Sequence, residues 1–133
     1  MFELSEQRMV IVVRGDIVDQ QGNPMPHGMA AAQAAHAAVL CSANAVLAKT
    51  VSVSKLSSEY FTKLVLRCRD FKELEHVENL AMARGLVTAR MLDTNPVFYG
   101  HYKNVVTALA IGPADPDAFV SITDYLPKWE NTL

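Results

Sequence analysis

Cysteine is scarce: Cys41 and Cys68 are the only two, 27 positions apart, with no C-x-x-C pair and no histidine at metal-ligand spacing. A disulfide scaffold and a structural zinc site therefore find no support, and two buried small hydrophobes in a reducing cytoplasm are expected. Aromatic residues make up 8% of the chain, with Trp129 the single tryptophan, and no basic run interleaves with them as in a nucleic-acid platform. Charge of one sign is also missing. Twelve Lys and Arg against 14 Asp and Glu give a formal charge of −2, which argues against binding nucleic acid through bulk charge. The longest mostly apolar stretch, Gly28 to Ala48, is broken by Gln33, His36, Ser42 and Asn44, so no membrane span is expected. Met1 to Arg8 do not form a signal-peptide pattern.

What is present is apolar material for a core. Half of the 133 residues are hydrophobic, which excludes disorder and suits one domain over residues 1–133. Met9 to Val13 is an unbroken apolar run, as in a strand buried on both faces. Asp16 to Pro26 is a loop. Met29 to Ala48 holds ten alanines without Gly or Pro and predicts a long helix, apolar nearly all round and packed between other elements. Thr50 to Tyr60 reads as a connection with a short helical turn, and Thr62 to Cys68 as a second strand. Asp70 and Glu73 form a capping-box-like start to a helix whose stripe is Phe71, Leu74, Val77 and Leu80, with Gly85 closing it. Leu86 to Leu92 predicts a third strand. Val105 to Ile111 predicts a fourth, stopped by Gly112-Pro113. A third helix from Asp115 or Asp117 to about Tyr125 follows, and Leu126 to Trp129 is a tail that suits an edge strand. The order β-α-β-α-β-β-α predicts an α/β fold: a three-layer α/β/α domain around a mixed, mostly parallel four-stranded sheet.

Ligands of such sheets gather beyond the carboxyl ends of the strands. Asp16, His27, Asp93 and His101 are candidates for one site there, with the Gly28 amide at a helix N-terminus suited to an anion or oxyanion. Each has a plainer reading. Asp16 and Asp93 suit turn caps, His27 an exposed loop position, and Gln33 with His36 a buried polar pair on one helix face. Phe98, Tyr99 and Tyr102 suit a lid over a ligand and a subunit interface equally well. Nucleotide-binding glycine loops, the G-x-S-x-G elbow and H-E-x-x-H are all missing. No metal and no cofactor is expected.

Met9-Val10-Ile11-Val12-Val13-Arg14, then Asp16, then Gly28-x-Ala-Ala-Ala-Gln33-Ala-Ala-His36-Ala, resembles the opening of type 2 peptidyl-tRNA hydrolases. Those have a strand ending in Arg-x-Asp, a loop Met-Gly-Lys-Gly-Lys and a helix with Ala-Ala-Gln-x-x-His-Ala. Leu64 to Leu66, Glu73 to Asp93 and Ala110-Ile111-Gly112-Pro113 continue the likeness, which runs from Met9 to about Tyr125. The resemblance implies that family's fold, often dimeric, and cleavage of the ester between peptide and tRNA without a metal. It carries the family's functional carboxylate to Asp93, its amide and imidazole to Gln33 and His36, and its glycine to Gly28. The loop departs from the pattern. It reads Met25-Pro26-His27-Gly28-Met29, so His27 and Met29 stand in place of both lysines, and Val18 to Pro24 lengthen it. Thr94-Asn95-Pro96-Val97 replaces Ala-Gly-x-Thr, and the basic face that would meet tRNA is missing. The pattern thus resembles a bacterial branch of the superfamily with no assigned activity, which shares Tyr102-Lys103, Gly112-Pro113 and Leu126-Pro127. The expectation is a cytoplasmic homodimer with lost or altered chemistry that binds a small molecule or a partner. Asp16, Gly28, Met29, Gln33, His36, Phe98, Tyr99 and His101 would line its site. The alternative is a hydrolase of peptidyl-tRNA or a related ester or amide, with Asp93 and His27 as catalytic residues.

Overall fold

In the computed structural model, residues 3–100 and 104–130 are described. The chain runs β1 (Glu3–Arg14), α1 (His27–Leu47), α2 (Val53–Ser58), β2 (Glu59–Cys68), α3 (Phe71–Ala83), β3 (Thr88–Asp93), α4 (Pro96–Tyr99) and β4 (Val105–Ala114), followed by a 3-10 turn at Pro116–Phe119. The four strands form one sheet in the order β2-β1-β4-β3. β1 and β2 are parallel, while β4 is antiparallel to both β1 and β3. Three strands therefore point the same way. Because the reversed β4 lies between β1 and β3, only the β1–β2 pairing is parallel.

The apolar run of β1 is the middle of the structure. Met9, Ile11 and Val13 pack beneath α1, and Val10 and Val12 pack on the opposite side with Leu74, Val77 and Ala81 of α3. All five strand residues are at most 2% exposed. Two helical layers thus enclose one mixed sheet, as the α/β/α reading expected.

The Ala-rich α1 departs from expectation on its outer side. It buries Ala30, Gln33, Ala34, Ala37, Ala38, Cys41 and Ala45 against a sheet surface that includes Ala89, Ala108 and Ala110. Small residues on both surfaces allow close approach. The other face is open, with Val39 68% and Leu47 81% exposed, so α1 is packed on one side only. Although α1 is long and apolar enough by composition to cross a membrane, it serves here as a layer of the α/β structure.

α3 is fixed at both ends by its sequence. Asp70 accepts from the Glu73 N–H at 2.9 Å, and Glu73 Oε1 accepts from the Arg69 N–H at 2.8 Å. At the far end Gly85 (φ +73°) lets the Leu86 N–H reach Ala81 O at 3.0 Å and its own N–H reach Met82 O at 2.9 Å, a Schellman closure. Asp70→Ala should lower stability by about 1 kcal/mol. Urea unfolding would register this as a lower midpoint at unchanged slope.

Two expectations about the carboxyl-terminal third are corrected. β4 does not stop at Gly112-Pro113 but continues to Ala114. The dipeptide, joined by a cis bond, lies opposite the register shift between Arg8 and Val10, where a bulge accommodates a proline. Gly112 has φ +115°, and a Cβ there would fall 2.9 Å from Arg8 O, so only glycine fits. The helix expected up to Tyr125 is instead the 3-10 turn Pro116–Phe119 followed by further turns. Val120 is extended, Ser121 has φ +67°, and Asp124 Oδ1 accepts from the Ser121 N–H at 3.0 Å. Phe119, Ile122 and Leu126 are buried at helical spacing, so successive turns satisfy the same periodicity. The tail lies along β2 as an edge, with Arg67 N–H to Pro127 O at 2.8 Å and Trp129 N–H to Val65 O at 2.9 Å.

Candidate active site

β1, β2 and β3 end on the same edge of the sheet, and α1 starts from the loop that leaves it. Asp93 is the last residue of β3. Its Oδ2 accepts from Gln33 Nε2 at 3.3 Å and from the Tyr99 hydroxyl at 3.0 Å, and its Oδ1 accepts from the Thr94 N–H at 3.0 Å. Gln33 is buried on the second turn of α1. The fully buried Thr107 of β4 donates to Gln33 Oε1 at 2.7 Å, which turns the Gln33 amide nitrogen toward the carboxylate. Burial, then the bond to Asp93 and its charge, push the Tyr99 phenol up from its ordinary value. Tyr99 therefore remains a donor through the neutral range. α4 presents Tyr99 because Asn95 caps it through the Phe98 N–H at 3.2 Å and Pro96 opens it. The ring of Phe98 is edge-on to Tyr99 at 5.3 Å.

The long loop before α1 has its own structure. Val18 bridges Pro24, Asp19 Oδ1 accepts from the Gln21 and Asn23 N–H groups at 2.9 and 2.8 Å, and Gln20 Nε2 donates to Val97 O at 3.0 Å. Those bonds, the Asn23 N–H foremost, lower the Asp19 carboxyl below its ordinary range. The Gln20 bond ties the loop to α4, the helix that carries Tyr99.

His27 occupies a neighbouring cleft of about 180 Å³, shared with Arg14, Met25, Arg67 and Trp129. Its Nδ1 accepts from Trp129 Nε1 at 3.0 Å, and the Arg67 guanidinium lies 4.2 Å from the Trp129 ring centre. Asp16 is the bidentate partner of Arg14 at 3.0 and 2.9 Å, and that bond raises the Arg14 pKa. Arg14 also donates to Val106 O at 3.0 Å. Gly15 allows this end of β1 to close on β2, since a Cβ there would fall 2.8 Å from Arg67 Cγ.

Of the residues singled out from sequence, Asp93, Gln33 and Tyr99 come together directly, with Phe98 beside them. Met29 is half-buried on the same core surface, four residues before Gln33 on one helix face. Gly28 is exposed in the first turn of α1. Pro26 provides no side-chain cap there and no acidic residue in that turn offsets the positive helix end. His36 is exposed, so the face expected to bury it with Gln33 buries only Gln33. His101 lies outside the described residues, as do Tyr102 and Lys103. Thr107, Gln20, Arg67 and Trp129 were not singled out. Only Thr107 carried a signal, as the one polar residue in the apolar run Val105 to Ile111.

The chemistry of this constellation is that of an oriented carboxylate. Among the described residues no three His, Cys, Asp or Glu side chains cluster as metal ligands. Burial pushes the Cys41 and Cys68 thiols up to about 12, which removes their nucleophilic form near neutral pH. Thr107→Val would leave Gln33 Oε1 buried without its donor. A loss of about 1–3 kcal/mol in unfolding free energy is expected in denaturant titration.

A three-layer α/β fold with a carboxylate held at the sheet's carboxyl edge is the class of protein defined here. Residues 7–128 match the family Peptidyl-tRNA hydrolase PTH2. Among curated relatives, a peptidyl-tRNA hydrolase of Methanopyrus kandleri is 33% identical over 123 residues, covering 90% of this chain and 96% of that protein. One of Thermoplasma acidophilum is 26% identical over 117 residues, covering 88% and 93%. The chain belongs to the peptidyl-tRNA hydrolase PTH2 family.

Proposed function

We propose that the protein hydrolyses the ester joining a peptide to tRNA, or a close relative of that ester, with Asp93 as the central carboxylate. The observation that carries this reading is the set of three donors holding Asp93 at the sheet edge. Oδ2 is taken by Gln33 and Tyr99. Oδ1 has a single backbone donor and keeps acceptor capacity toward a water. That water attacks the ester carbonyl while Asp93 takes its proton and the carbonyl oxygen becomes an oxyanion; the carbonyl then re-forms as the C–O bond to the ribose breaks, and the ribose oxygen leaves with the proton that Asp93 held. The uncapped end of α1 favours negative charge on this edge. His27, the second catalytic candidate, is given no step in this reading, which rests on the donors around Asp93; its Nδ1 accepts from Trp129 Nε1. Likeness to two curated hydrolases over about nine-tenths of the chain supports the reading. A cytoplasmic location follows from the substrate, and two free, buried cysteines fit it.

Met29 favours a second reading: binding of the same substrate without turnover. A thioether supplies neither charge nor proton where the related loop pattern has lysine. Single-turnover hydrolysis of an N-acetyl-aminoacyl-tRNA by the full chain separates the two. Release of the acyl group that depends on Asp93 supports hydrolysis. Saturable tRNA binding with an intact ester supports the second reading and overturns the first.

A further inference from the structure

Arg8 lies at the other end of the sheet from Asp93. Arg8 pairs with Ala114 and Asp93 with Val105, so nine residues of β4, roughly 25–30 Å, separate them. Arg8 Nε is buried without a hydrogen-bond partner, the one such side-chain atom among the described residues. No carboxylate among the described residues comes within 4 Å of its guanidinium. A buried unsatisfied donor is costly, and most native structures avoid it.

Arg8 borders a cleft of about 250 Å³ whose floor is Leu64, Leu66, Phe119 and Leu126, with Lys128 also at its edge. Asp124 lines it as well, exposed and accepting the Ser121 N–H, so the cleft sets two cations, Arg8 and Lys128, against one carboxylate. The cleft thus joins two demands. The guanidinium fork matches a planar carboxylate, and the hydrocarbon floor matches an apolar body. Its volume is below the roughly 300–1,000 Å³ of pockets that hold drug-sized ligands, so the occupant is about the size of one large side chain. A bare phosphate would use the arginine and leave the floor wet.

We propose that this cleft binds a small apolar monocarboxylate, held by Arg8 through its carboxylate and covered by the leucine and phenylalanine floor. A free acid and the carboxyl end of a peptide with an apolar last residue share this chemistry. Binding here is independent of hydrolysis at Asp93.

The test uses the full chain and three probes, 4-methylpentanoate, its uncharged amide and N-acetyl-glycyl-leucine, in calorimetric titrations and methyl NMR. The expected result is saturable binding of 4-methylpentanoate, with methyl shifts at Leu64, Leu66 and Leu126. The amide should bind about tenfold or more weakly, and Arg8→Gln should weaken the acid by a similar factor, because a charged hydrogen bond is lost in both cases. Tighter binding of the acetylated dipeptide assigns the site to peptide ends, and weaker binding assigns it to free acids; both keep the proposed chemistry. On the unaltered protein, three results overturn the proposal: no saturation, equal affinity for acid and amide, or shifts confined to the Asp93 edge. Equal binding by Arg8→Gln also overturns it. If that variant fails to fold, the acid-against-amide comparison on the unaltered protein decides.

Discussion

Asp93→Asn is expected to lower kcat/KM for ester hydrolysis about 10²–10³-fold while the protein stays folded. Asparagine keeps the shape and one acceptor oxygen, which suffices for Gln33 Nε2 and the Tyr99 hydroxyl, both donors. The new amide nitrogen then faces the Thr94 N–H, which the carboxylate had accepted at 3.0 Å. That mismatch costs about 1–2 kcal/mol of stability, too little to unfold a domain of this size. The activity loss is larger because the amide cannot take a proton from water near neutral pH. Rate and unfolding midpoint measured on the same preparation check both halves. Tyr99→Phe serves as a comparison, since it removes a donor to the same oxygen but leaves the base in place. It should cost less than Asp93→Asn. If Asp93→Asn retains full hydrolysis, the central role given to this carboxylate is wrong.

The parts of this arrangement that were legible in sequence are those set by local pattern. Met9 to Val13 announced a strand buried on both faces, and Asp70, Glu73 and Gly85 marked the two ends of α3. Asp93 was legible because a carboxylate followed a strand and preceded Thr-Asn-Pro. The Ala-rich helix was legible as a helix but not in its exposure, because alanine reads the same on a buried and an open face. Only the match to Ala89, Ala108 and Ala110 across the sheet shows which side packs. The segment from Pro116 to Leu126 misled for a related reason, since buried residues at helical spacing can be placed by consecutive turns. The contacts between Thr107 and Gln33 and between Trp129 and His27 join residues 74 and 102 positions apart. No local period reports such pairs. The same limit hid the partner of His27, which meets Trp129 in the cleft it shares with Arg14, while Asp93 meets Gln33 and Tyr99.

The second large effect is expected for Met29→Lys, a rise in hydrolysis of about 10–100-fold together with a small loss of stability. Met29 precedes Gln33 by four residues, so the two project along one face of α1 with Cβ atoms about 5–6 Å apart. Gln33 bonds Asp93, which brings a lysine ammonium at position 29 within reach of the reacting centre. At an effective dielectric near 20, two unit charges about 6 Å apart interact by about 3 kcal/mol. Charge developing on the ester oxygen would gain a fraction of this, and removal of a single oxyanion donor in a hydrolase costs about 10²–10³ in rate. The opposing terms are smaller. A cation in the first turn of α1 meets the positive end of the helix, at about 0.3–1 kcal/mol, and part of the apolar contact of the half-buried Met29 is lost. Stability should therefore fall by about 1–2 kcal/mol while the rate rises. The double variant Asp93→Asn/Met29→Lys tells whether the two positions act on one reaction. If the ammonium works by stabilising an oxyanion formed with the help of Asp93, its gain shrinks when the carboxylate is gone, and the two effects do not add. An unchanged gain in the double variant would mean that lysine acts on substrate binding instead, visible as a lower KM at constant kcat. No gain in either background would mean that this site has rebuilt its electrostatics without a cation at position 29, with the α1 terminus and the Arg14 guanidinium of the neighbouring cleft as sources of positive potential.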